Sequence, residues 1–526
     1  MSTSNSLSES WSIRKPAIHT PRGIVVTQHA SASQAGAAIL AQGGNAIDAA
    51  VAAGFAIGTV EPWMSGMGGG GYMVVYLARE HRSYAIEFGV KTSATLDPEN
   101  YPLTEGTGPD LFSWPAVQDH RNIRGPYSVA VPGMVAGLAQ ALDSFGTRTW
   151  QDVLTPAVGL AEQGLQVDWY ATLKIASAAR DLANYPGSKQ VFLPNGFVPV
   201  GEWAGPLPRI PLGNLANTLS RLAQAGAADF YTGAIAKDIL ADADALGIQL
   251  SADDLAAYRP HVSEVERSRY RDAEIDIVPG LTAGPTLRYA LSSLSENLAA
   301  VAHTPDRQSY NAYAKSLFDA YEHRLAYVGD VPDTVAPSCT THINVADREG
   351  NVVALTITLL SLFGSKVTLP RTGILMNNGI MWFDPRPQRP NSIAPNKRPL
   401  SNMCPVVLLR DDGKRFALGA AGGRRIMPAV FQLTSFLTDY HMPLDAAIHQ
   451  PRLDVSGTDI VSVDSALSDD IIKALSTTYS TRILPNGVYP NPFACPSAVC
   501  HDPESKQNTG AAFVVSPRAA AWAEPE

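Results

Sequence analysis

Thr340 opens the run Thr340-Thr341-His342-Ile343-Asn344-Val345, and the Gly350-Asn351 turn joins it to the apolar stretch Val352 to Thr358. A threonine hydroxyl attacks a carbonyl only when a base beside it takes its proton. The chain's own α-amino group becomes that base if the preceding peptide bond is cut, and it titrates at about 7.7–8.0, near the ideal for a base at neutral pH. One reading is therefore chemical: cleavage between Cys339 and Thr340 makes Thr340 an N-terminal nucleophile. The other is plain, because two threonines heading an alternating apolar run also make an ordinary strand edge. His342 lies two residues along the same run and is read as structural. Cys339 could instead be a catalytic thiol, but its place directly before Thr340 suits the scissile bond better.

Segments elsewhere favour the chemical reading. They are Gly43-Gly44-Asn45-Ala46-Ile47-Asp48 with the alanine-rich run to Ala53, Val60-Glu61-Pro62, and Ser65-Gly66-Met67-Gly68-Gly69-Gly70-Gly71. Pro395-Asn396-Lys397-Arg398-Pro399-Leu400-Ser401 and Ala421-Gly422-Gly423-Arg424-Arg425-Ile426 follow. In this order, over residues 22 to 454, they resemble the γ-glutamyltransferases. The resemblance implies an N-terminal-nucleophile hydrolase of α/β class with a four-layer αββα sandwich. It implies self-cleavage into a large piece, 1–339, and a small piece, 340–526, which carries the nucleophile. The pieces would stay interlocked as an αβ heterodimer, with further dimerisation open. In such enzymes Thr358 would hold the nucleophile and its amine in register, Gly422 and Gly423 would form the oxyanion hole, and Ser401 would bind a carboxylate. No metal or organic cofactor is required.

The glycines also have readings of their own. Gly422-Gly423 precede a helix-like run, so their N–H groups can converge on an oxyanion with no Cβ in the way; a plain strand-to-helix turn is the alternative. Gly66 to Gly71 satisfies G-x-G-x-x-G. It follows a helix and leads into a strand, the reverse of a dinucleotide turn, so close backbone packing is the better reading.

Several positions depart from the family pattern. Relatives that bind a γ-glutamyl group hold its charged head through positions that here appear as Gly89, Leu360, Gly379 and Trp382. An ammonium buried against Leu360 and Trp382 would lack acceptors, which makes glutathione a poor substrate. Asn402 replaces a second serine, and Arg424 stands where relatives usually carry serine; an arginine so placed can grip a carboxylate bidentately or simply begin a helix in solvent. The segment from Phe383 to Pro395 is too short for a long lid. Within the family this pattern resembles that of enzymes hydrolysing a small anionic amide, oxamate to oxalate and ammonia, in purine-ring catabolism. The rivals are γ-glutamyltransferase-like or cephalosporin-acylase-like hydrolysis of larger amides and, in another class, an unprocessed binding protein.

The elements needed to position these residues are legible in outline. Gly23 to Thr27 reads as a strand, Ser31 to Ala41 as a helix ended by Gly43-Gly44, and Asp48 to Val60 as a helix buried all round. Tyr72 to Leu77 and Ser83 to Phe88 read as a hairpin, 93 to 126 as irregular surface, and Gly133 to Gly146 as a helix. Helical patterns dominate from Trp150 to Ala300 apart from Leu193 to Leu212, and Tyr310 to Gly329 is amphipathic. Asp330 to Ser338 has the character of an exposed linker suited to cleavage. Strands are expected at Ile343–Val345, Val352–Leu359, Gly373–Met376, Pro405–Leu409 and Arg415–Ala420, and a helix at Pro428–Tyr440.

Composition removes several classes of partner. The 526 residues are 45% hydrophobic with a net charge of −9, enough for a large core and without a basic footprint for nucleic acid or anionic membrane. No stretch is long and apolar enough for a membrane helix, and Met1 to Ser10 lacks a signal-like n-region or h-region, so a cytoplasmic protein acting on a small molecule is expected. Four cysteines are too few for a disulfide scaffold, and Cys495 and Cys500 lack the second ligand pair of a structural zinc site.

Overall fold

Asn45 and Asp48 show how the sequence starts a helix that is buried along nearly its whole length. The Asn45 side chain accepts from the N–H groups of Ile47 (2.9 Å) and Asp48 (3.0 Å), and the Asp48 carboxylate accepts from the Asn45 N–H (2.8 Å). This reciprocal cap satisfies donors that a helix start leaves orphaned. The same carboxylate takes the Thr147 and Arg148 N–H groups, tying the helix to a distant loop. In a computed structural model, residues 13–108, 114–298, 302–328, 339–456 and 459–526 are described. The tail Met1 to Ser10 and the expected linker Asp330 to Ser338 lie outside them.

The elements that carry the argument, in chain order, are strands β1 (Ile18–Thr20) and β2 (Ile24–Thr27) and helices α1 (Ala30–Ala41) and α2 (Ala46–Val60). They continue with β3 (Gly70–Leu77), β4 (Arg82–Phe88), α3 (Met134–Phe145), β5 (His261–Glu264), β6 (Glu266–Tyr270) and β7 (Ala273–Ile277). After these come α4 (Gly284–Asn297), α5 (Arg307–Val328), β8 (Cys339–Ala346), β9 (Val352–Leu360), β10 (Val406–Arg410) and β11 (Arg415–Ala421). The last are α6 (Ile426–Thr438), β12 (Cys495–Asp502), β13 (Gln507–Ala512) and β14 (Ala520–Ala523).

The strands form two antiparallel seven-stranded sheets, ordered β14-β2-β8-β9-β3-β4-β5 and β1-β13-β12-β11-β10-β7-β6. Their side chains sort by the two-residue period of a strand. In β9, Val353, Leu355, Ile357 and Leu359 join the α1, α2 and α3 layer, whereas Val352, Ala354 and Leu360 join residues of the second sheet such as Val407, Ala417 and Val499. The outer face of the second sheet packs Ile275, Val406 and Leu418 under Leu287, Leu317 and Phe431 of α4, α5 and α6. Helices, sheet, sheet and helices make four layers, the αββα sandwich.

Two expectations are corrected. Residues 261–277 are not helical but the strands β5, β6 and β7, which continue one sheet at β4 and the other at β10. Charged residues fill much of this stretch and obscure its alternation; Arg267 pairs with Asp276 (2.6 Å) and Glu274 (2.9 Å) across the β6–β7 hairpin. Gly373 to Met376 is not a strand either. It makes only isolated bridges, Leu375 to Thr368 and Met376 to Gly68, because its apolar residues fill a crossing between layers rather than a ladder.

Candidate active site

The run of four glycines, Gly68 to Gly71, that leads into and opens β3 lets backbone meet backbone beside Thr340. A Cβ on Gly69 would lie 2.2 Å from the Thr358 carbonyl oxygen, and one on Gly71 would lie 2.4 Å from that of Thr356. Only glycine permits that approach. The carbonyl of Gly69 accepts from the N–H groups of Gly133 (2.8 Å) and Met134 (3.0 Å), so the same run anchors the start of α3.

β8 is held centrally between β2 and β9. Its pairing with β9 shifts register at the residue of interest: Cys339 faces Leu360 and Thr341 faces Ile357, which leaves Thr340 opposite both Thr358 and Leu359. An extra residue of this kind bends its strand and re-aims side chains, as bulges beside active sites do. The Thr358 hydroxyl accepts from the Leu360 N–H (2.8 Å), and Leu360 adopts φ 80°, a left-handed conformation that is costly for leucine. Thr340 is wholly buried, and its Oγ1 has no hydrogen-bond partner among the described residues. A buried hydroxyl left unpaired costs about 1–3 kcal/mol, so its retention calls for a role.

His342 shares the interlayer face with Thr340 but is fully engaged elsewhere. Nδ1 lies 2.8 Å from the Thr356 hydroxyl and Nε2 2.9 Å from Asn344 Oδ1, while Asn344 Nδ2 donates to Ser497 in the second sheet. The ring lies against Gly419 of β11, where a Cβ would be 2.3 Å from Cε1. Burial pushes its pKa from 6.5 down to about 4, with the Asn344 bond pulling the other way. A depressed histidine pKa means that the unfolded chain binds the extra proton first. The stabilisation from the neutral ring is therefore complete above pH 6.5 and is lost as pH falls toward about 4. Denaturant unfolding between those values is expected to lose about 1.4 kcal/mol per pH unit from His342, and His342→Gln should flatten the profile by that share. His29, pushed down to about 3 by burial and then by Arg518, supplies a slope of its own in the variant.

The other candidate residues fall into two groups. Gly422 and Gly423 follow directly on β11, with φ of 150° and 58°, and lead through a single 3-10 turn into α6. A Cβ on Gly422 would lie 2.8 Å from the Ala494 backbone, so glycine is required there on steric as well as conformational grounds. Arg424 is buried, and its carbonyl accepts from the Tyr321 hydroxyl (2.8 Å). Both Arg424 and Arg425 lie near Asp454, whose carboxyl is pushed up by burial and drawn back down mainly by Arg425. The alternative of an exposed helix-start arginine does not describe this side chain.

Ser401 and Asn402 are buried as a pair and are positioned by a residue that motif spacing does not reveal, Arg324 of α5. Its Nη2 donates to the Ser401 carbonyl (3.0 Å) and to Asn402 Oδ1 (3.3 Å), and its Nη1 donates to Thr286 (2.9 Å). With Oδ1 occupied, the Asn402 Nδ2 is left buried without a partner among the described residues. The Ser401 hydroxyl accepts from the Met403 N–H (3.1 Å). Leu360 and Trp382 are also buried and present apolar surface, and a Cβ on Gly379 would meet Ala130 and Val90 at 2.7 Å. Among the described residues no cluster of His, Cys, Asp and Glu is arranged to hold a metal.

Comparison with known proteins agrees with this architecture. The γ-glutamyltranspeptidase family pattern matches residues 32–339 and 331–486, two stretches that meet around Thr340. The acylase ACY 1 proenzyme of Pseudomonas sp. (strain SE83) is 33% identical over 497 residues, covering 88% of this chain and 87% of that one. The glutathione hydrolase proenzyme of Bacillus subtilis (strain 168) is 29% identical over 510 residues, covering 86% and 84%. The crystal structure of cephalosporin acylase from Bacillus halodurans has the same fold, with a TM-score of 0.84 at 22% identity over 100% of both chains. The chain belongs to the γ-glutamyltranspeptidase family and is an amide hydrolase.

Proposed function

We propose that the chain cleaves itself between Cys339 and Thr340 and then uses Thr340 to hydrolyse a small anionic amide, for which oxamate is the best fit. The observation that carries the catalytic part is the orphaned, buried Thr340 hydroxyl at the bulge opposite Thr358. In this reading the new α-amino group takes the Thr340 Oγ proton, and Oγ bonds to the amide carbon. The Gly422 and Gly423 N–H groups hold the oxyanion. The C–N bond breaks as the amine returns its proton to the leaving ammonia. A water, deprotonated by the same amine, then attacks the acyl carbon; Thr340 Oγ leaves as it takes that proton back from the amine, and oxalate is released.

The preference for a small anion rests on the surroundings. Leu360 and Trp382 are buried apolar side chains that give an ammonium group no acceptor, and the unpartnered Asn402 Nδ2 beside Ser401 is a donor suited to a carboxylate. Arg424, buried directly after the Gly422-Gly423 pair, would supply a cation to that carboxylate, whereas Arg324 is spent on Ser401 and Asn402. A second reading, hydrolysis of larger acyl amides, is favoured by the 33% identity to the acylase ACY 1 proenzyme.

Ammonia or amine release from oxamate, a glutaryl amide and a γ-glutamyl amide, measured side by side, separates the two. Turnover of oxamate well above the others supports the first, and selective turnover of the glutaryl amide supports the second.

A further inference from the structure

We infer that Lys366 is a positioning residue for the nucleophile: through Ser361 and Asn378, its buried ammonium keeps the end of β9 in place opposite Thr340. The inference rests on the cleavage and amidase reading above and adds a residue that acts on Thr340 through others.

Leu359 is one of the two residues that the bulge leaves opposite Thr340. Its N–H donates to the Met64 carbonyl (3.0 Å) and its carbonyl accepts from the Asn378 N–H (3.2 Å), so both of its backbone groups are held from outside the β8–β9 ladder. The chain then turns. Leu360 (φ 80°), Phe363 (57°), Gly364 (48°) and Lys366 (67°) all adopt left-handed backbone. Three of them are not glycine, and such residues keep that conformation only where their surroundings over-determine it. It matters most at Leu360, whose N–H it aims back at the Thr358 hydroxyl. A relaxed turn would withdraw that donor and let Thr358 re-aim.

Backbone bonds hold the turn from outside, from the Phe363 N–H to the Trp63 carbonyl (2.9 Å) and from the Ser365 N–H to the Met376 carbonyl (3.0 Å). Side chains close its interior. Lys366 Nζ donates to the Gly364 carbonyl (2.8 Å) and reaches Ser361 Oγ at 3.4 Å. Ser361 Oγ in turn donates to the Gly364 carbonyl (3.2 Å) and accepts from Asn378 Nδ2 (2.8 Å), which also donates to the Ile123 carbonyl (2.8 Å). Asn378 thus grips Ser361 with its side chain and Leu359 with its backbone, and the lysine locks the turn between them. Lysine is seldom buried, yet Lys366 is only 7% exposed, and a buried ammonium costs solvation that calls for a role. Loss of this clamp would shift Leu359 and Thr358, and Thr340 with them, while Ser401, Asn402 and Arg424 stand on other segments. A misplacement of about 1 Å at a reacting atom can cost on the order of 100-fold in rate, so kcat rather than KM should carry the loss.

The test uses Lys366→Met, which keeps the stem and removes the ammonium, Lys366→Arg, which restores a cation, and Ser361→Ala, which removes the hydroxyl shared by Lys366 and Asn378. Each is compared with the wild type by a time course of the full-length band and by melting temperature. kcat and KM are measured separately for whichever of oxamate, a glutaryl amide and a γ-glutamyl amide the wild type turns over fastest. Lys366→Met is expected to slow cleavage and to lower kcat by roughly 10- to 100-fold with KM within about twofold, and Lys366→Arg to recover part of both rates. Ser361→Ala should show the same pattern more weakly, and it carries the comparison where Lys366→Met does not fold or stays uncut. Cleavage and kcat at wild-type levels in the variants overturn the inference even if the melting temperature falls, because the lysine would then only stabilise the fold. A loss confined to KM overturns it too, by assigning Lys366 to the substrate. A wild type that stays full-length and releases no ammonia or amine overturns the amidase reading, and this inference with it.

Discussion

Thr340→Ala is expected to leave the chain as one full-length band on a denaturing gel and to lower ammonia release by on the order of 10⁶, the scale of losing a covalent nucleophile. One substitution removes both outcomes because both need the same Oγ, the wholly buried hydroxyl without a partner among the described residues. Thr340→Ser, which keeps an oxygen at that position, should restore cleavage and part of the turnover. Full cleavage in Thr340→Ala would remove the residue from processing, and full activity would remove it from catalysis. Because alanine leaves no unpaired hydroxyl, the uncut variant is also expected to be at least as stable as the uncut wild type. A marked fall in its melting temperature would argue that the hydroxyl has a structural partner instead.

Gly69→Ala is expected to have the largest effect away from the nucleophile. The added methyl would sit 2.2 Å from the Thr358 carbonyl oxygen, a backbone atom that cannot swing aside as a flexible side chain would. Relief requires β3 and β9 to part where Thr358 faces Thr340, at a cost of about 3 kcal/mol, the upper part of the range for overpacking. Thermal unfolding should register the loss, and a time course of the full-length band should show slowed or absent cleavage. Gly159→Ala is the control, since a methyl there meets nothing within 4 Å.

What could be read from the sequence was local. The alanine-rich α2, the β3–β4 hairpin and the β8–β9 pair each carry their signal within about twenty residues, the range over which periodicity acts. Less legible were β6 and β7, where arginines and acidic residues meet across a hairpin, and the strands near the C-terminus. β13 and β14 pair with β1 and β2, so residues 18–27 find partners in residues 508–523, a match that no local window contains. The site divides in the same way. Thr340, Thr358, Ser401, Asn402 and the Gly422-Gly423 pair stand in recognisable segments. Arg324 looked like one polar residue of an amphipathic helix; only folding brings it to Ser401 and Asn402. Gly373 to Met376 shows the converse error, in which apolar composition suggested a ladder that the chain does not make.

The order of strands carries one further implication for the life of the molecule. In the sheet that holds Thr340, β2, β3, β4 and β5 precede the Cys339–Thr340 bond and β14, β8 and β9 follow it, with β2 wedged between β14 and β8. In the second sheet β1, β7 and β6 come from before the bond and the four strands between β1 and β7 from after it. Severing one bond cannot free either fragment without unzipping both ladders. Each mature copy should therefore keep for life the fragment with which it was translated, and isotopically labelled and unlabelled preparations mixed together should yield no hybrids short of denaturation.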